Sequence, residues 1–103
     1  MPEFAFTYRS QKGYIPSAET VAAWYAWFDG MGDHLIELGR PVVDRVSIGE
    51  SNPERTELGG YTIVQAEDLN GALAIAEGCP ALGFGGGVEV GLLGQVHDRA
   101  ASS

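Results

Sequence analysis

The chain has 103 residues, of which 14 are acidic and 6 are basic, so its formal net charge at neutral pH is -8. This balance argues against DNA or RNA as a partner, because a nucleic-acid-binding protein needs basic side chains to neutralise phosphates. The single cysteine, Cys79, excludes an intramolecular disulfide and an all-cysteine zinc site, in agreement with a reducing compartment.

The length corresponds to one domain, predicted over residues 1–94, with a polar C-terminal tail over 95–103. The longest apolar runs, such as 22–28, are much shorter than the roughly 20 residues that a membrane-spanning helix needs. The first residues lack the basic and apolar regions of a secretory signal. We therefore expect a soluble cytoplasmic protein that has no membrane partner.

The N-terminal quarter predicts a strand followed by a helix. Phe4, Phe6 and Tyr8 alternate with smaller residues, which is the period of a strand. After a turn that ends at Pro16, Ser17 is predicted as the N-cap of a helix.

The predicted first helix extends to Gly39. Spacings of three and four residues place six apolar residues on one face of it: Val21, Trp24, Phe28, Met31, Leu35 and Leu38. Gly39 and Pro41 are predicted to end the helix, and Gly30 and Gly32 are expected to weaken it.

Two strands are predicted next. The β-branched run 42–48 predicts the second strand, and the polar stretch 49–57 predicts an exposed loop. The run 61–66 predicts the third strand, after a flexible Gly59–Gly60 pair.

The last third predicts a helix and a strand. Asp68 is the expected N-cap, and Gly78 with Pro80 ends the helix. The glycine-rich stretch 83–87 leads into a predicted fourth strand at 88–93 rather than opening a helix, so it does not predict a nucleotide cofactor.

Strand-helix-strand-strand-helix-strand is the order of a ferredoxin-like α+β fold, which has an antiparallel sheet and both helices on one face. The other face of such a sheet is left uncovered. Because large apolar patches mark interfaces, we expect a homodimer formed through the open sheet face.

Several segments carry a family resemblance. They are Ala23–Phe28, Leu58–Tyr61, Cys79–Pro80 and Gly86–Val90. With them the chain resembles the YCII-related proteins, which include the DGPF-domain proteins, over nearly its whole length. The resemblance implies a dimeric α+β barrel with clefts between the sheet and the helices.

The chain departs from this family at two places. The Asp-Gly-Pro-Phe tetrapeptide is absent, and residues 50–54 occupy roughly its region. Some YCII-type members carry a proposed catalytic pair, with a His in the first helix and an Asp before the proline that follows the second helix. His34 is our candidate for that histidine, but Cys79 stands before Pro80, so the pair is broken.

The candidate catalytic residues are His34, as a general acid or base, with assistance from Asp44 or Tyr61. The alternative for His34 is a surface helix residue that caps carbonyl groups. Cys79 is expected to be a buried structural thiol. No metal site is predicted, because the chain's histidines, Cys79 and Glu89 lack ligand spacing.

The candidate ligand-binding residues are aromatic: Trp24, Trp27, Phe28 and Tyr61. Three functions therefore remain open. The first is a module that binds a small, mainly apolar or aromatic molecule. The second is a cofactor-free lyase or isomerase that uses His34, and the third is a protein-interaction subunit that uses the loop at 49–57.

Overall fold

The computed structural model describes residues 1–51 and 54–96. Most of the predicted tail, from His97 onward, lies outside the described residues, as do two residues of the predicted loop. The elements in chain order are the strand β1 (Glu3–Gln11), the helix α1 (Ala18–Met31), a 3₁₀ turn (Gly32–His34), β2 (Leu35–Glu37), β3 (Thr56–Gln65), α2 (Leu69–Ala76), a second 3₁₀ turn (Pro80–Phe84) and β4 (Gly87–Leu92).

The four strands form one antiparallel sheet in the order β2-β3-β1-β4. Both helices contribute to the single core on one face of this sheet. The predicted ferredoxin-like α+β fold is therefore confirmed.

The core lies between the sheet and the two helices. Phe4 pairs with Val64 and Phe6 pairs with Thr62, and each of these four side chains is at most 2% exposed. The alternate positions of β1 and β3 point the other way and form the open face of the sheet, which we define by Ala5, Thr7, Arg9, Leu58, Tyr61 and Ile63.

The first helix is shorter than the sequence predicted. It ends at Met31 because Gly32, its C-cap, adopts a φ of +55°, which favours glycine. The predicted apolar face is correct for Trp24, Phe28 and Met31, which pack in the core. It is wrong for Val21 and Leu38, which are 40% and 48% exposed. The apolar spacing misled the prediction beyond Gly32, since Leu35 also packs on the core but does so from β2.

The predicted second strand at 42–48 is wrong. Only three residues, Leu35–Glu37, form β2, and pairing beyond it is limited to a bridge from Pro41 to Gly60 and a bond from Val42 N to Gly59 O. Strand propensity depends on a covering surface, which this run lacks. Val43, Val46 and Ile48 are 88%, 88% and 92% exposed.

The third strand begins earlier than predicted, so the predicted glycine pair lies within β3 and the end of the predicted loop is strand. A register shift occurs opposite Tyr8 and Arg9, at these glycines. Gly60 has a φ of +153°, and a Cβ there would lie 2.9 Å from the carbonyl oxygen of Arg40. Glycine is needed because the backbone of the preceding segment approaches so closely.

The predicted helix caps are confirmed. Ser17 Oγ accepts a hydrogen bond from Thr20 N at 3.2 Å, and Asp68 Oδ1 accepts one from Gly71 N at 2.8 Å. In the described part of the chain, neither helix has the length and apolar character to cross a membrane.

Candidate functional site

An aromatic cluster joins α1 to the sheet. The ring of Trp27 stacks on Phe6, with centroids 6.0 Å apart and planes at 12°. Trp24 meets Tyr8 edge to face at 4.7 Å, and Phe28 lies 5.4 Å from Trp27. Each tryptophan therefore has a fixed orientation, since several rings confine it.

Trp27 also fixes the position of α2 relative to α1. Its indole Nε1 donates a hydrogen bond to the carbonyl oxygen of Ile75 at 3.1 Å. Gly78 passes so close that an added Cβ would lie 3.1 Å from that nitrogen. A small residue at position 78 therefore allows the end of α2 to meet the indole edge.

A cavity of about 330 Å³ opens between the end of α1 and the end of α2. We call it the helix cleft. Gly30 is part of its wall, and a Cβ added there would meet no atom within 4 Å. The cleft is lined by Ala26, Trp27, Gly30, Met31, His34, Ile75 and Gly78.

His34 is the one acidic or basic residue among those that line the helix cleft. It lies in the 3₁₀ turn after α1, not in the helix itself. Its Nδ1 lies 2.8 Å from the carbonyl oxygen of Gln65, at the end of β3. The side chain of Gln65 returns a bond, since its Nε2 donates to the carbonyl oxygen of Asp33 at 2.8 Å.

The structure brings His34 and Trp27 together but places the other predicted residues elsewhere. Trp24 and Phe28 lie in the aromatic cluster behind the cleft. Tyr61 is on the open face of the sheet, where it is 39% exposed. Asp44 lies on the exposed segment that follows Pro41, and neither Asp44 nor Tyr61 lines the helix cleft.

The remaining reactive groups are buried on the helix side of the sheet. Cys79 is 3% exposed, and burial raises the pKa of its thiol to about 11. Burial likewise raises the pKa of Tyr8, whose hydroxyl donates to Thr62 Oγ1 at 2.6 Å. Neither group is ionised near neutral pH, so Cys79 is a structural thiol as expected.

A second cavity of about 480 Å³ lies beside the start of β1 and the residues that follow β4. Glu3 is the single charged side chain among its lining residues, and aromatic rings are absent from that lining. The helix cleft, with an indole and an imidazole, is the better candidate for ligand binding. Within residues 1–51 and 54–96, no group of three His, Cys, Asp or Glu side chains is arranged to hold a metal ion.

Sequence reasoning missed several residues of the site. Gln65 gives no sequence signal, since its partners come from the distant 3₁₀ turn. Ile75 lies on α2 and, as an ordinary apolar residue of a helix, gives no sequence signal for a site. Gly30 and Gly78 were noticed only as points where helices weaken or end. Their small size is the signal that could have indicated a cleft.

Comparisons with known proteins agree with this architecture. A family model described as the YCII-related domain matches residues 1–92. Among solved structures, the chain is similar to 5-chloro-2-hydroxyhydroquinone dehydrochlorinase (TftG) from Burkholderia phenoliruptrix AC1100, in complex with 2,5-dihydroxybenzoquinone. The TM-score is 0.65 at 15% identity, over 93% of this chain and 97% of that one.

At this identity the similarity shows the fold alone, a four-stranded antiparallel sheet with both helices on one face. It does not transfer a reaction. Among curated proteins, none matches the chain.

Proposed function

We propose a ligand-binding function for this chain, which belongs to the YCII-related family: the helix cleft holds a small, mainly apolar or aromatic molecule. The observation that carries this proposal is the cleft itself, about 330 Å³ in volume and walled by Trp27, Met31 and Ile75. Pockets of this size, with apolar walls and a few polar groups, are typical of small-molecule sites.

The rigidity of the wall supports the proposal. Trp27 is held by Phe6 from one side and by the bond to Ile75 from another, so its ring need not be ordered when a ligand binds. A preformed wall lowers the entropic cost of binding.

The test is a thermal-shift screen against phenols, aromatic acids and lactones with a variant that fills the cleft. Gly30→Leu places a side chain in the cavity, since position 30 has open space and an ordinary helical φ. Ala22→Leu, at an exposed position of α1 that does not line the cleft, is the matched control.

A ligand at 100 times its dissociation constant stabilises the protein by about 2.7 kcal/mol. We expect at least one compound to raise the melting temperature of the wild type and of Ala22→Leu, but not of Gly30→Leu. Equal shifts in all three proteins would contradict binding in the cleft. The lack of a shift with any compound would favour the protein-interaction alternative.

We further propose that the chain forms a homodimer through the open face. Leu58 and Ile63 on that face are only half-buried within one chain, and Tyr61 is 39% exposed. On the segment that follows Pro41, the side chains of Val43 and Ile48 are nearly fully exposed. Apolar groups exposed together in this way are typical of interfaces.

Light scattering coupled to size exclusion tests the dimer. Ile63→Asp places a charge on the open face and is expected to give a monomer. Leu73→Asp, on a half-exposed position of α2, is the matched control and is expected to remain dimeric. A monomeric wild type, or a dimeric Ile63→Asp, would contradict the proposal.

A second candidate function is a cofactor-free lyase or isomerase. The observation that favours it is His34, which lies against the aromatic wall of the cleft and has one ring nitrogen left for a substrate. Nε2 would take a proton from a hydroxyl or carbon of the substrate. The electron pair would then expel a leaving group, or the proton would return at another atom.

The structural neighbour TftG is a dehydrochlorinase, so a chlorinated hydroxyhydroquinone is a rational first substrate. Chloride release, measured with wild type and His34→Asn, tests this candidate. Asn keeps an N–H donor near the Nδ1 position and lacks Nε2, so activity lost with the fold intact would support it. Turnover unaffected by the substitution would exclude His34 as the base.

A further inference from the structure

We infer that Gln65 positions His34 so that an unprotonated Nε2 is presented to the helix cleft, as an acceptor for the hydroxyl of a phenolic ligand. This inference rests on the proposed function and adds the protonated ring position, a positioning residue and a class of ligand.

The protonated position follows from the bond at Nδ1. The partner at 2.8 Å is the backbone carbonyl of Gln65, and a carbonyl oxygen can only accept. Nδ1 must therefore carry the proton. In the neutral imidazole the lone pair is then on Nε2.

The side chain of Gln65 holds this arrangement in place. Its Nε2 donates to Asp33 O at 2.8 Å, so the 3₁₀ turn and the end of β3 are joined by two reciprocal bonds. Both bonds are solvent-exposed, so one alone would compete with water. Together the two bonds hold both the backbone of Asp33 and the ring of His34 in place.

The chemistry of the cleft indicates the class of ligand. An acceptor nitrogen requires a donor, and Trp27 lines the same cleft with an aromatic surface. Lysine and arginine are absent from the cleft lining, and the whole chain carries a net charge of -8. A carboxylate would meet no opposite charge there, whereas a neutral phenol supplies both the ring and the hydroxyl.

The tautomer is measured first, on the ligand-free protein, by long-range ¹H–¹⁵N correlation of the imidazole, recorded at a pH where the spectrum itself shows the neutral ring. The variant His97→Gln leaves His34 as the one imidazole in the chain. We expect a protonated Nδ1 and an unprotonated Nε2. A protonated Nε2, or an even mixture of tautomers, would overturn the inference whether or not a ligand is found.

The role of the Gln65 side chain is tested with two variants in the same background. Gln65→Glu is nearly isosteric but cannot donate to Asp33 O, so the tautomers are expected to become mixed. Gln65→Lys retains a donor and is expected to restore the Nδ1–H form. A purely structural role would leave the tautomer signature unchanged in both variants, and that result would remove Gln65 as a positioning residue.

The class of ligand is tested by titrating tryptophan fluorescence with phenol, its methyl ether and benzoate. One lost hydrogen bond corresponds to about a 3- to 10-fold weaker affinity, so phenol is expected to bind tighter than the ether by that factor, with benzoate weakest. Equal affinities for phenol and ether would overturn the assigned ligand class. If none of the three compounds binds, both the assigned ligand class and the proposed binding function are contradicted. The tautomer measurement still tests separately whether Gln65 positions His34.

Discussion

The two faces of the sheet are made from alternating residues of the same strands, but they differ in what covers them. On the helix side, Phe6 is completely buried under the ring of Trp27. On the open face, Tyr61 is 39% exposed and Arg9 donates to the carbonyl oxygen of Thr56 within the sheet. The aromatic core on the helix side is therefore covered by the helices of the same chain, whereas the side chains of the open face are left partly exposed.

This difference separates stability from assembly. A substitution on the helix side should act on the folding of a single chain, because its contacts are intramolecular. A substitution on the open face should act mainly on association. The helix cleft lies at the border of the first region, where the packed aromatic cluster reaches solvent.

The largest expected effect is that of Phe6→Ala on the helix side. The side chain is 0% exposed and stacks on Trp27, so its loss leaves a cavity under the indole. We expect a loss of about 3–5 kcal/mol in the free energy of unfolding, measured by urea denaturation. Thr7→Ala, the next position on the opposite face, is the control. A similar loss there would contradict the claim that the two faces of the sheet contribute differently to the stability of a single chain.

The buried hydroxyl pair gives the next largest effect. Tyr8 donates to Thr62 Oγ1 at 2.6 Å, and Thr62 Oγ1 donates to Leu38 O at 2.9 Å. Thr62→Val leaves the buried Tyr8 hydroxyl and the part-buried Leu38 carbonyl without these partners, and we expect a loss of about 1–3 kcal/mol in the free energy of unfolding, measured by urea denaturation. In a double-mutant cycle, Tyr8→Phe should lower the free energy of unfolding by less in the Thr62→Val protein than in the wild type. Strict additivity would show that the pair does not act as a unit.

Alkaline pH should destabilise the helix side through Cys79. Burial raises the pKa of its thiol from the ordinary 9.0 to about 11, so the folded state disfavours the thiolate. The thiol therefore does not lower the free energy of unfolding below about pH 9. Above that pH the free energy of unfolding decreases as the pH rises towards 11, because the unfolded state ionises more readily. Between pH 8 and 10 we expect a loss of about 1 kcal/mol that Cys79→Ala does not show. Parallel pH profiles of the two proteins would contradict burial of this thiol.

The smallest expected effect is an increase in the free energy of unfolding from a substitution in the wall of the helix cleft. Gly30 lies in α1 with a helical φ, and a Cβ there meets no atom within 4 Å. Gly30→Ala should raise the free energy of unfolding by about 0.5–1 kcal/mol, because alanine is the better helix former. Gly32→Ala is the contrasting variant and should destabilise the protein, since Gly32 has a φ of +55°. Thermal denaturation of both variants measures the difference, and a loss at position 30 would show that the cleft wall is tighter than the structure indicates.

Much of the fold could be predicted from local patterns. Phe4, Phe6 and Tyr8 alternate as in a strand, and both helix caps carry a side chain that bonds as expected. The end of α1 could not be predicted from apolar spacing, because Leu35 continues the spacing while belonging to β2. The order of strands and helices predicts the observed topology even though the second strand was placed at the wrong residues.

The site was less predictable than the fold. Trp27 and His34 were candidates by residue type, and the structure places both at the helix cleft. Gln65 was not predictable, because its contact with His34 joins positions 31 residues apart. Such contacts depend on how the strand end meets the turn, which no local pattern encodes.

The most direct test of a ligand site in the helix cleft is a ¹H–¹⁵N correlation spectrum recorded during a titration with phenol. The chain has two tryptophans, so two indole signals report on the helix side. If phenol binds in the helix cleft, the signals of the Trp27 indole and the Gly78 amide shift with the ligand, while the amides of Tyr61 and Ile63 on the open face do not. Shifts confined to Tyr61 and Ile63, or no shift at Trp27 up to the solubility limit of phenol, would contradict a ligand site in the helix cleft.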